Sequence, residues 1–201
     1  MIRLSIWAVA LGLLTVMVYS GCRSTTPPVT YYTLNPIAPS AGETQYDNHR
    51  NQIIGIRPVD LPGIIDRIQM VTRSGPYQLA ISSSHRWADY PNQLIQQAIG
   101  ENLQLLMPDS RVISAPWPMG LKPDVTVTVK FYELIGTEDK KVQLNALWTI
   151  TAADPAFMDS HRINLTEPLT GTGYEELAAA HSRVLAVFCR KMADSLKAFQ
   201  R

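Results

Sequence analysis

Residues 125–132, Val-Thr-Val-Thr-Val-Lys-Phe-Tyr, and 142–150, Val-Gln-Leu-Asn-Ala-Leu-Trp-Thr-Ile, decide the fold. In the first, Val125, Val127, Val129 and Phe131 alternate with Thr126, Thr128, Lys130 and Tyr132. In the second, Val142, Leu144, Ala146, Trp148 and Ile150 alternate with polar or smaller neighbours. Successive side chains of a strand point to opposite faces, so a period of two marks a strand with one buried face. A polar turn at 136–141 separates the two runs. They are therefore expected to form an antiparallel hairpin with one face on the core.

Outward from this hairpin the period changes. Over 174–199, Leu177, Val184, Leu185, Phe188, Met192 and Phe199 fall on one helical stripe, with Arg183, Arg190, Asp194 and Lys197 opposite. Over 89–107, Leu94, Ala98 and Leu105 share one line and Ile95, Ile99 and Leu106 the next, an arc wide enough for deep docking. Asp89 suits the N-cap of that helix and Pro91 its first turn. Short β-rich runs stand at 31–34, 53–59, 69–73, 78–82 and 111–115. Pro58 and Pro62 confine the end of the second, and Ser74-Gly75-Pro76-Tyr77 joins the third and fourth as a hairpin. Runs of strands interrupted by two long helices give an α+β class. The expectation is one domain, a mostly antiparallel sheet covered on one face by two long helices.

The N-terminus has a different character. Arg3 is the only charge before Arg23, and the apolar run from Leu4 to Val18 is too short for a bilayer crossing of about 20 residues. It ends in Tyr19-Ser20-Gly21-Cys22. This resembles a bacterial lipobox, with Tyr19 where Leu is usual, and implies removal of 1–21 and a lipid on Cys22. Polar, proline-containing residues 23–30 then read as a tether, and 31–201 as a periplasmic domain. Loss of Arg3 leaves 17 basic against 17 acidic residues. That balance argues against a nucleic-acid footprint and against electrostatic adhesion to anionic lipid. With Cys22 acylated, Cys189 has no disulfide partner, and its neighbours Val187, Phe188 and Met192 mark it as a small buried residue.

Chemistry is sparse. His49, His85, His161 and His181 are isolated, without His-x-x-x-His or Cys-x-x-Cys spacing, so no metal site is expected. His181 lies on the apolar stripe and reads as a hydrogen-bonded core histidine. Ser82-Ser83-Ser84-His85 with Asp89 is the most suggestive cluster, but nucleophilic triads assemble in space rather than along the chain. Glu175 and Glu176 fit the first turn of a helix, where the dipole favours them. The charged positions Asp60, Asp66, Arg67, Arg73, Arg86 and Asp89 read either as intramolecular ion pairs or as a docking surface, and partner docking is expected on the segment 57–73, through Arg57, Asp60, Asp66, Arg67 and Arg73.

Four segments carry a resemblance: Tyr31-Tyr32-Thr33-Leu34, Ile54-Gly55-Ile56-Arg57-Pro58-Val59-Asp60-Leu61-Pro62, Asp66-Arg67-Ile68-Gln69-Met70-Val71-Thr72-Arg73 and Arg86-Trp87-Ala88. Together they resemble the PqiC family of ABC-type transport auxiliary lipoproteins, with Ile68 and Asp89-Tyr90-Pro91 departing from its pattern. The resemblance implies a non-catalytic lipoprotein without cofactor, at the outer membrane and facing the periplasm. It implies work beside a mammalian-cell-entry (MCE) domain protein in moving lipid between membranes, and a homo-oligomer is expected. The other reading that the same lipobox and small α+β domain allow is a scaffold or activator of a cell-wall enzyme.

Overall fold

The computed structural model describes residues 28–36, 52–137, 140–154 and 157–199. The expected signal segment, Cys22 and most of the expected tether lie outside them. The expected hairpin is present as β6 (Val125–Thr137) and β7 (Lys141–Ala152), paired antiparallel from Val125 beside Ala152 to Thr137 beside Lys141. Every second residue of β7 from Val142 to Ile150 is buried, as the period requires. A bulge between Phe131 and Glu133 resets β6, so Leu134, Ile135 and Gly136 are buried in succession beyond it.

The remaining strands are β1 (Thr30–Tyr32), β2 (Gln52–Ile56), β3 (Gln69–Arg73), β4 (Leu79–Trp87), β5 (Ser110–Ser114) and β8 (Met158–Pro168). Because β7 occupies one edge of β6 throughout, the other edge is shared by two strands. Near its start, Ile54 to Ile56 of β2 lie parallel to Val125 to Val127, and β5 lies parallel to β2 on its far side. Near its end, Thr72 and Arg73 of β3 lie parallel to Gly136 and Thr137, and β4 then β1 follow outward. Between the arms the backbone of 57–60 still bonds β6, with Asp60 N–H to Val129 O at 3.0 Å and Phe131 N–H to Asp60 O at 2.8 Å. The sheet thus forks at β6. It is mixed rather than purely antiparallel, although the long ladder β6–β7–β8 is antiparallel throughout.

Two helices cover one face, α1 (Pro91–Leu106) over the β2–β5 arm and α2 (Gly173–Phe199) over the ladder. Ile95, Ile99 and Leu103 of α1 and Leu185, Phe188 and Met192 of α2 are buried in a common core. Phe188 meets Phe131 at 5.6 Å and Trp148 edge-on at 5.5 Å, geometries that aromatic quadrupoles favour. Gln104 of α1 caps the outer edge of β5, donating to Ser110 O at 3.0 Å and accepting from Val112 N at 3.1 Å.

The start of α1 differs from the expectation. The N-cap position is Tyr90, which makes no side-chain cap bond, while Asp89 accepts only from Tyr90 N. The orphan N–H of Asn92 instead bonds Asp66 Oδ1, from the β2–β3 connection, at 3.3 Å. A distant carboxylate caps the helix because Pro91 already removes one donor and turns the chain.

Candidate functional site

The charged segment resolves into separate contacts. Asp60 pairs with Lys130 at 3.0 Å across an exposed surface, and Arg73 pairs with Glu133 at 2.6 Å. The carboxylate beside it holds the Lys130 ammonium above its ordinary value, but both groups are solvated and the pair adds little stability. Asp66 caps α1. Arg57 is exposed, and Arg67 is half-buried with its Nε lacking a partner. The five residues therefore do not form one cluster. Three are engaged within the domain, and the two arginines Arg57 and Arg67 remain without an ion pair among the described residues.

Where the arms of the fork separate, the structure forms a small, open apolar pocket. Leu34 enters from the segment after β1, Leu61 and Ile65 from the β2–β3 connection, Trp87 from β4, Leu94 from α1 and Leu134 from β6. His181 of α2 supplies the polar group in this wall. Its Nδ1 lies 2.7 Å from Leu177 O and its ring meets Trp87 edge-on at 5.4 Å. Burial lowers its pKa from 6.5 to about 4, overriding hydrogen bonding to the backbone of Leu177 and Leu134. It is neutral at physiological pH, and the expectation of a hydrogen-bonded core histidine holds.

The Ser82–His85 cluster has a structural arrangement. Ser82 Oγ accepts from its neighbour's backbone, His85 N, at 3.0 Å, and His85 Nδ1 lies 2.8 Å from Tyr32 Oη. The His85 ring stacks on Tyr174 at 3.9 Å. These contacts tie β1, β4 and the start of α2 together. Gly173, at φ 87°, permits the turn into α2, a conformation that costs a side-chain-bearing residue steric strain. Arg183 then bonds Glu167 at 2.7 Å and Glu176 at 2.8 Å, fastening α2 to the end of β8. The Arg183 guanidinium and the Thr170 backbone hold the Glu176 carboxyl below its usual range. Cys189 is fully buried, and desolvation pushes its thiol up to about 12, against the pull of Asn102 and Arg190. No group of three or more metal-ligating side chains occurs among the described residues.

Sequence reasoning missed the pocket, because its walls come from seven separate strands, loops and helices. It also passed over Tyr77, whose signal was an aromatic residue in an otherwise polar Gly-Pro turn.

This is a small α+β domain whose buried histidine, His181, is held by backbone carbonyls beside an apolar fork. The chain belongs to the family described as ABC-type transport auxiliary lipoprotein component, whose model matches residues 32–193. It is thus an auxiliary component of a transport system and, by family, a membrane-associated lipoprotein; no described helix is long and apolar enough to cross a membrane. A search of curated proteins found no match. Among solved structures, a crystal structure of an uncharacterized protein aligns with a TM-score of 0.71 at 18% identity, covering 84% of this chain and 99% of its own. A Xanthomonas campestris protein of the DUF330 family aligns with a TM-score of 0.64 at 11% identity, covering 82% and 93%. At such identities the likeness establishes the fold.

Proposed function

We propose that this chain is the outer-membrane lipoprotein of an MCE-type lipid transport system, acylated at Cys22, non-catalytic, and acting by docking its partner. The family match across residues 32–193 carries this reading. The sequence adds three supports. The apolar run from Leu4 to Val18 leads into Ser20-Gly21-Cys22. Arg23 follows the cysteine, where Asp would favour inner-membrane retention. The eight residues of 23–30 reach at most about 28 Å, so the domain stays near the membrane that holds its lipid, and a longer partner must meet it there.

Docking falls on the segment 57–73, through Arg57 and Arg67. Asp60, Asp66 and Arg73 contribute there mainly by shaping the segment, since each is engaged within the domain. Assembly as a homo-oligomer is supported by β8, eleven residues long and paired only with β7 among the described residues. An unpaired strand edge is a template for another chain. Several copies would raise effective concentration at one partner and let each contact be weak.

The test has two parts. Cys22→Ser should abolish incorporation of labelled palmitate. The tagged wild-type chain should co-purify an MCE-domain protein from its own cells, and the double variant Arg57→Glu, Arg67→Glu should lose it. No recovery with wild type would remove the adaptor role. Undiminished recovery with the double variant would remove only this placement of the interface.

A further inference from the structure

The N-terminal strand enters the sheet from one definite end. Strand β1 runs parallel to β4, with Thr30 beside His85 and Tyr32 beside Trp87. The chain preceding Thr30 therefore arrives from the side where β4 begins. Strand β4 begins at Leu79, opposite Arg73, and the Ser74 N–H closes the turn between them on Gln78 O at 3.0 Å. Arg73 also lies beside Thr137, so the end of β6 is at this same end of the sheet.

Three large apolar side chains are held outward there. Tyr77 is fully exposed at the turn, with Ile81 at 48% and Leu79 at 37% exposure behind it. Val29, on the incoming chain, is exposed as well. The lengths coincide. Six residues from His85 back to Leu79 cover at most about 20 Å of strand. Eight residues from Thr30 back to Cys22 cover at most about 28 Å. A membrane holding a lipid on Cys22 is therefore within reach of Tyr77 if the tether continues in the direction from which β1 enters the sheet.

We propose that the β3–β4 turn, with Tyr77 at its apex and Leu79 and Ile81 behind it, rests in the headgroup layer of the membrane that carries the lipid anchor. The surface it takes is a phospholipid bilayer. This deepens the function proposed above and rests on the Cys22 anchor. A tyrosine suits that layer, because its ring is apolar and its hydroxyl stays hydrated. The tip supplies a second, weak contact beside acyl chains that already hold the protein at the membrane. It also orients the domain. The thirteen residues of β6 separate this end by about 40 Å from the other. Met119, Phe157 and Met158 are exposed toward that other end, away from the tip.

The experiment uses the full-length acylated chain in vesicles of phosphatidylethanolamine and phosphatidylglycerol. A polarity-sensitive fluorophore is placed at Tyr77→Cys or, in a second variant, at Met119→Cys. Both positions are fully exposed, so neither change disturbs packing, and Cys189 is buried away from the label. Emission from position 77 should shift to the blue and be mostly lost when the vesicles contain spin-labelled phospholipid. Position 119 should show neither effect. A chain that floats with the vesicles while position 77 behaves like position 119 overturns the tip contact alone. A chain that fails to float overturns the anchor and the tip contact together. A blue shift at position 77 that lipid-borne quencher does not touch assigns the tip to a second copy of the chain, and also overturns the proposal.

Discussion

His181 is 5% exposed, wedged between Trp87 and the Leu177 carbonyl, with its pKa lowered from 6.5 to about 4. In the unfolded chain the same imidazole titrates near 6.5. Between these values the unfolded state binds a proton that the native state refuses, so stability falls as pH falls. The loss begins as pH drops through 6.5 and is complete near 4. At about 1.4 kcal/mol per tenfold step, the whole linkage amounts to roughly 3 kcal/mol. Against a typical stability of about 5–15 kcal/mol, that is a substantial part. Urea titrations between about pH 7 and pH 4, on wild type and His181→Gln, measure it. The glutamine keeps a donor for Leu177 O but has no proton to gain. Its stability should start lower at neutral pH and decline less on acidification, the two curves converging by roughly 3 kcal/mol. Carboxylates contribute alike to both proteins and cancel in the comparison. Parallel curves would refute the reasoning.

Three further outcomes follow from the packing. Phe188→Ala removes a ring fully buried between Phe131 and Trp148 and should cost about 3–5 kcal/mol in urea denaturation, whereas a loss below about 1 kcal/mol would mean the core is misassigned. Gly55→Ala places a methyl 2.5 Å from Pro123 Cγ and 3.1 Å from Trp117, so one of the two rings must shift, and should lower stability by about 1–3 kcal/mol. Cys189 should resist maleimide in the folded chain and react only after denaturation, as mass spectrometry would read directly, because its thiol is both inaccessible and undissociated.

The hairpin of β6 and β7 was legible because both strands bury one face, which writes a period of two into the sequence. Both helices were legible for the corresponding reason, each burying a stripe. Strand β8 was not. Its half-buried apolar residues Ile163 and Leu165 stand among polar ones, since an edge strand outside the centre of the core needs little apolar surface. Strand β4 runs on to Trp87, beyond the expected 82, where Ser82 Oγ accepts from His85 N and His85 bonds Tyr32 of the neighbouring strand. The fork depends on which distant segments share an edge of β6, and side-chain period carries no information about that. Charges at 57–73 were visible as charges, but their partners Lys130, Glu133 and the Asn92 N–H lie 26 to 70 residues away.

The central claim is that this lipoprotein meets an MCE-domain protein at the outer membrane. A photo-crosslinking amino acid at position 57, where the native arginine is exposed, tests it in intact cells. After illumination and separation of the two membranes, the adduct should lie in the outer-membrane fraction and contain the MCE-domain protein. An adduct with a cell-wall enzyme instead, or one found wholly in the inner membrane, would contradict the account.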